Sequence, residues 1–294
     1  MIMESLVAFA RQTGEATTRE IHDMVDRVIH QIYPNRGLRE IIRPGDRVVI
    51  KVNIVGPTYG ARGEKGRGII TDPRIVRYVA ELVRDIIGFD NGSDLIVTDA
   101  AFHPDSDPSP KLLDVGFYWA RLEQTGDNSV DEKDICYDYD ADGILYGKSR
   151  ARLINLDSLK EDDRQLFEIK MPDGHYEKVA FPKLMSTKYQ AAQTDSPNEY
   201  CDVLIGIPVF KSHGIQGITG ALKLHYGIRS RYSLLGDTGR LGHSGTYYDE
   251  KGFHHKHNLI DYLCAMHKVR SYDFVIMDCL TANRKGPTLP YRRH

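Results

Sequence analysis

Cysteine is scarce and unpaired in this sequence: four residues in 294, Cys136, Cys201, Cys264 and Cys279, with no C-x-x-C among them. An iron–sulfur ligand run and a zinc ribbon both need such spacing, so neither is encoded. Reduced, mostly buried thiols in a cytoplasmic protein are the expectation. Long hydrophobic runs are missing too. No stretch of about 18 apolar residues occurs, which argues against a membrane span. The opening residues, MIMESLVAFARQTGEATTRE, lack the basic flank and small-residue cleavage site of a secretory leader. Neither sign of charge dominates. Lysine plus arginine number 39 and aspartate plus glutamate 41, a net charge of −2. That balance excludes a strongly basic nucleic-acid binder and a polyacidic tail. The remaining composition, 41% hydrophobic and 27% charged, is that of a folded globular chain. Histidine is the outlier, with seven of its 12 residues falling between His213 and His267.

Periodicity supplies the elements. Thr17-Thr18-Arg19-Glu20 has capping-box spacing, and Ile21, Met24, Val25, Val28, Ile29 and Ile32 follow at helical intervals. Val48 to Val55 reads as an apolar strand bearing two polar residues, Lys51 and Asn53, and a Gly-rich loop from Gly56 to Gly68 follows. Asp72 as cap and Pro73 at the first position predict a second helix, and Asp94 to Thr98 a strand ending at Asp99. Strand, loop, helix, strand is a βαβ unit, which implies a parallel sheet centre. Residues 126–197 differ in texture. Ala151 to Leu156, Leu166 to Lys170 and Tyr176 to Phe181 read as short strands around Pro172-Asp173-Gly174, a hairpin and loop excursion from the main sheet. The α/β alternation resumes with a strand over Asp202 to Val209, helices over Ala221 to Tyr226 and Asn258 to Val269, and a strand from Phe274 to Met277. The expected fold is one α/β domain over 1–294: a mainly parallel central sheet, helices on both faces, and a β-rich excursion at 126–197. The chain stops soon after Gly286-Pro287 without a finishing helix, so a C-terminal truncation is expected.

Three groups of residues could carry chemistry. The first is the run from Asp202 to Lys223, where a buried strand feeds Lys211, Ser212, His213 and glycines at Gly214, Gly217 and Gly220, with Thr219 between. Glycines let backbone N–H groups approach an anion, and a following helix start adds a favourable dipole. The plain alternative is a strand-to-helix turn with surface lysines. The second group sits at the carboxyl ends of the strands, where open α/β sheets bind ligands: Lys51 and Asn53, Asp99, Lys211 with His213, and Asp278. Lys51 and Asn53 share a face of an apolar strand, and a buried amine is costly unless paired or used. The alternative is that Lys51 pairs structurally with Asp99 or Asp278. The third group is His243, His254 and His257 in a Gly/Tyr-rich segment, a candidate site for a divalent transition metal, although zinc-type spacing is absent. A solvated loop or a mobile active-site lid accounts for them equally well.

Several of these stretches together carry a family resemblance. Val-Val-Ile-Lys51-Val-Asn53, Thr71-Asp72-Pro73, and Val-Thr-Asp99-Ala are followed by Asp202-Val-Leu-Ile, Pro-Val-Phe-Lys211-Ser-His213, and Ile-Thr219-Gly220-Ala-Leu-Lys223. Asp273-Phe-Val-Ile-Met-Asp278 then leads to Gly286-Pro287. In this order, over about residues 40 to 290, the chain resembles the domain of unknown function 362 family. Members of that family are sometimes fused to ferredoxin-type iron–sulfur modules, which the cysteine spacing does not provide here. The sequence departs from the family pattern at Lys223-Leu224-His225, where an imidazole replaces the usual asparagine–leucine ending. It departs again at Asn283-Arg284-Lys285-Gly286-Pro287. A shorter run, His213, Gly217, Thr219-Gly220 and Lys223, is similar to the His/Gly/Lys loop of the nickel-pincer lactate racemase family, and implies analogy only.

The leading expectation is an enzyme of isomerase or oxidoreductase type. Its site would take a small carboxylate- or phosphate-bearing ligand, held by the 214–220 amides, Lys211 and Lys223, with His225 nearby. His213 would be the general acid/base, Asp99 or Asp278 would orient it or hold a metal, and Lys51 with Asn53 would stabilise negative charge beside a carbonyl. Two other readings stay open: a non-catalytic redox or binding accessory module, with a homodimer or redox partner, and a transition-metal enzyme using the late histidines.

Overall fold

The computed structural model describes residues 6–14, 16–53, 71–89, 92–100, 137–140, 143–146, 149–156, 159–172, 174, 176–213, 217–228, 246–248, 254–256 and 259–280. Helix α1 (Thr18–Ile32) starts where the capping box places it: the Thr17 hydroxyl accepts from the Glu20 amide, and the Glu20 carboxylate accepts from the Thr17 amide at 2.7 Å. Strand β1 (Arg47–Val52) follows. Helix α2 (Pro73–Ile87) opens on Asp72, whose carboxylate accepts from the Arg74 amide at 2.9 Å. Strand β2 (Asp94–Asp99) completes the βαβ unit.

The later strands are β3 (Tyr137–Asp140), β4 (Gly143–Tyr146), β5 (Ala151–Asn155), β6 (Arg164–Lys170), β7 (Tyr176–Pro182), β8 (Val203–Ile207), β9 (Lys211–His213), β10 (Gly217–Thr219), β11 (Thr246–Tyr248), β12 (His254–Lys256) and β13 (Phe274–Val275). Helix α3 (Leu259–Val269) lies between the last two. The central sheet runs β13-β8-β1-β2-β5-β4-β3. Its first five strands are parallel, and β4 and β3 add antiparallel to β5 at one edge. The stretch 126–197 therefore supplies three strands of the central sheet, β3, β4 and β5, as well as the separate antiparallel hairpin β6–β7.

Strand alternation divides the core in two. Val48, Ile50 and Val52 of β1, with Leu95 and Val97 of β2 and Ile205 of β8, meet the apolar faces of α1 and α2. Val49, Ile96 and Leu204 point the other way, onto Tyr262, Ala265 and Met266 of α3 and Val179 and Phe181 of the hairpin. Helices thus cover both faces of the sheet. β1 lies between β2 and β8, with Lys51 opposite Thr98 on one side and Gly206 on the other. This near-continuous apolar run is what a strand buried on both faces requires, and it makes the one charged residue inside it conspicuous.

Arg164, at the start of β6, is buried and ties the hairpin to the sheet. Its guanidinium donates to the Leu156 carbonyl at 2.7 Å and to the Ile228 carbonyl at 3.2 Å. Replacement by methionine fills similar space but leaves those two carbonyls without their donor. Arg164→Met is expected to lower stability by about 1–3 kcal/mol, read as a fall in the urea midpoint at unchanged slope.

Candidate functional site

Lys51 projects from β1 on the α3 side of the sheet and is fully buried. Its ammonium donates to Asp99 Oδ1 at 2.5 Å and to its neighbour's Val52 carbonyl at 2.7 Å. Asp99 is the last residue of β2, so two adjacent parallel strands deliver the two charges side by side at their carboxyl ends. The turn after Leu224 closes over them. The Ala100 amide donates to the Gly227 carbonyl at 2.9 Å. A side chain at Gly227 would start 2.8 Å from Lys51 Nζ and closer still to the Asp99 carboxylate. Glycine is required there by close approach.

Two further amines reach the same region. Lys211, the first residue of β9, is 3% exposed. Lys223 sits on a single helical turn, Ala221–Leu224, over the ring of Tyr226 with its Nζ 5.1 Å from the centroid. Burial, and then the charge of Lys223, push Lys211 down to about 7, against the pull of Asp99. Burial pushes Lys223 down to about 8, with Asp99 opposing and Lys51 adding to the shift. If every group carried its charge, three ammonium ions would face one carboxylate, an excess of 3 − 1 = +2 among the described residues. Desolvated like charges of this kind are what shift lysines towards neutrality.

An aromatic wall backs the cluster. His225 is completely buried, and its Nε2 donates to the Arg270 carbonyl at 2.8 Å, which leaves Nδ1 as the acceptor in the neutral ring. Nδ1 makes no hydrogen bond of ordinary geometry among the described residues. Burial pushes this imidazole down to about 4, with the Arg270 carbonyl opposing. The Tyr272 ring lies 4.4 Å from the His225 ring and presses on Gly206. Its buried hydroxyl also has no hydrogen-bond partner among the described residues, and burial, with Asp99 second, raises it well above its usual value. The Tyr272 hydroxyl is thus a buried polar atom beside several amines.

The other expected residues fall elsewhere. Asp278 lies on the α2 side of the sheet, two residues beyond Ile276 of that core. Its carboxylate accepts from the Asp72 amide at 2.8 Å and the Leu280 amide at 3.0 Å. Burial and then Asp72 push it up to about 7. Asn53 exchanges backbone hydrogen bonds with Thr71, donating to its hydroxyl and accepting from its amide, both at 2.9 Å. The described parts of the glycine run are paired strands followed by a short helix. His213 pairs with Gly217 and Lys211 with Thr219 in a β9–β10 hairpin, and the helix after Gly220 lasts one turn, so its dipole contribution is small. His213 ends β9, and Gly217 and Thr219 begin and end β10. Gly214, His243 and His257 lie outside the described residues, and His254 is placed only as a strand residue of β12. Among the described residues, no group of three or more histidines, cysteines or acids is placed to hold a metal. No helix there is long and apolar enough to cross a membrane. Sequence reasoning passed over Tyr272, Gly206, Gly227 and Arg164.

Fold and site together define an α/β protein with a parallel sheet and a buried lysine cluster at the carboxyl ends of its central strands. Residues 48–290 match the family described as Domain of unknown function (DUF362), and the chain belongs to that family. Comparison with curated proteins and with solved structures returned no match.

Removing one partner of the Lys51–Asp99 pair strands a charge in the core. Lys51→Met is expected to cost about 3–5 kcal/mol, whereas the double variant Lys51→Met/Asp99→Leu recovers much of that loss. Urea unfolding of the two single variants and the double variant measures the coupling.

Proposed function

We propose that this chain is an enzyme that binds a small carboxylate- or phosphate-bearing ligand at the carboxyl ends of its central strands and moves protons beside a carbonyl. The observation that supports the reading is the gathering of Lys51, Lys211 and Lys223 around the carboxylate of Asp99 among the described residues. In this reading the Lys51–Asp99 pair is the fixed floor of the site. Lys211 and Lys223 hold the anion, assisted by amides of the 214–220 segment. A bound anion returns these lysines to the charged state that burial disfavours, so binding and protonation are coupled. His213, two residues beyond Lys211, is proposed as the general acid/base, since imidazole titrates nearest neutral pH. His225 is suited to a different part: neutral, fixed by Arg270, and offering Nδ1 as an acceptor.

Sulfate, which stays dianionic across the range, is the simplest probe. The folded pKa values lie below the unfolded value of lysine, so protonating these amines in the folded state requires compensation that the anion supplies. Thermal stabilisation by sulfate is therefore expected to be largest near about pH 6 and to shrink towards about pH 9, as Lys211 and then Lys223 lose their protons. Lys223→Met is expected to abolish most of the effect. A sulfate effect that ignores both pH and this substitution would refute the anion site. For the acid/base role, His213→Ala with an intact fold is expected to lower turnover of a substrate found by screening by about 10²–10⁴-fold.

A further inference from the structure

Two parts of this chain expose what a folded protein normally covers. The first is the segment ahead of α1. Residues 6–12 form neither helix nor turn, and residues 6–14 make no backbone–backbone hydrogen bond among the described residues. Three large apolar side chains here stand in solvent, Leu6 at 69%, Val7 at 72% and Phe9 at 81% exposure, so the chain itself does not cover them. The base of the segment is nevertheless fixed. Gln12 Nε2 donates to Glu20 Oε1 at 2.7 Å, and Arg74 Nη1 donates to the Ala16 carbonyl at 3.0 Å. A pinned base carrying an uncovered apolar tip is an arm, and large apolar groups exposed together mark a contact surface.

The second is the edge of the central sheet at β13. That strand has β8 on one side and no strand on the other among the described residues. Towards β8, the Ile276 amide donates to the Gly206 carbonyl at 2.9 Å and the Asp278 amide to the Pro208 carbonyl at 2.8 Å. Alternate residues of a parallel strand bond to alternate sides, so the backbone groups of Val275 and Met277 face the open side. Sheet edges are ordinarily blunted by charge, proline or a covering element. The run from Phe274 to Met277 has neither charge nor proline. Met277 on this edge and Phe210, whose amide donates to the Asp278 carbonyl, are themselves exposed.

Arm and edge lie at the same end of the sheet. Arg74, which holds the base of the arm, is in the first turn of α2, and the amide of Asp72, which caps that helix, donates to the Asp278 carboxylate just beyond the edge. Both are exposed in one molecule, so the arm does not cover its own edge. We propose that arms are exchanged between two copies of this chain: residues 6–10 of each add as a strand to the β13 edge of the other, about a two-fold axis. The backbone of the arm answers the outward groups of Val275 and Met277, in the manner of an added β-strand. Its apolar side chains cover the exposed Met277. A second copy is the favoured partner because each copy carries both halves, and one symmetric exchange satisfies all four surfaces. The exchange is independent of the anion site.

Sedimentation velocity of the full chain over a wide range of concentration tests it. A concentration-dependent dimer is expected. Phe9→Glu alters a side chain that the fold leaves in solvent, and Val275→Pro removes an outward-facing amide. Each is expected to weaken the dimer at least about tenfold while leaving the circular dichroism of the monomer unchanged. If Val275→Pro does not fold, Met277→Lys puts a charge on the same edge and is expected to weaken the dimer equally. A chain that is monomeric at every concentration overturns the proposal, including the case in which the arm returns to its own edge. A dimer indifferent to Phe9→Glu overturns it, because the arm then lies outside the interface. A dimer weakened by Phe9→Glu but by neither edge variant overturns it as well, because the arm then meets another surface.

Discussion

The buried ion pair between Lys51 and Asp99 constrains everything around it. An ammonium ion at the centre of a parallel sheet is tolerated only if a carboxylate meets it with good geometry, because desolvating either charge alone costs several kcal/mol. The 2.5 Å contact meets that condition. It also binds three pieces of chain into one arrangement: β1 and β2 supply the charges, and the turn bearing Gly227 must come close enough to shut water out. Well-packed hydrophobic residues would stabilise those strands at least as well. A charge pair retained where an apolar pair would serve is better explained by the electrostatics it imposes on the neighbouring groups than by stability.

Those neighbours show the effect. Asp99 pulls Lys211 and Lys223 towards the charged state, yet it is already engaged, so burial prevails in both. His225 and Tyr272 add polar atoms without adding charge, since each is held in its neutral form by burial. The region is polar, short of hydrogen-bond partners and rich in amines. Arg164, on the far side, anchors the Ile228 end of the same turn, so the hairpin outside the sheet contributes to positioning the site without touching it.

Much of the architecture was legible in the sequence, because the signals for it are local. The capping box at Thr17, the Asp72-Pro73 start and the apolar run around Lys51 each lie within a few residues of what they determine. Lys51 stood out by contrast with its surroundings, and Asp99 by its place at a strand end. Asp278 has the same signal as Asp99, yet it faces the other core and caps the approach to α2. At a strand end the pleat no longer fixes the side, and only long-range pairing decides it. Tyr272, Gly206, Gly227 and Arg164 had no local signal at all: Arg164 meets Ile228 across 64 residues of sequence. The flanks of the glycine run show pairing that local sequence does not announce. Its glycines suggest an open loop, whereas Lys211, Ser212 and His213 pair with Thr219, Ile218 and Gly217 in an antiparallel ladder. Gly217 opens the second strand of that ladder, opposite His213.

The balance of charge links the ligand to the fold. A site with more buried cations than anions can settle in two ways: its lysines give up protons, or an anion enters and lets them keep their protons. The first leaves neutral amines, and the second leaves ammonium ions answered by the anion. Both states are within reach near neutral pH because the two lysines titrate at about 7 and about 8. An anion reaching both amines would keep both protonated, so its occupancy and the protonation of Lys211 and Lys223 would rise and fall together.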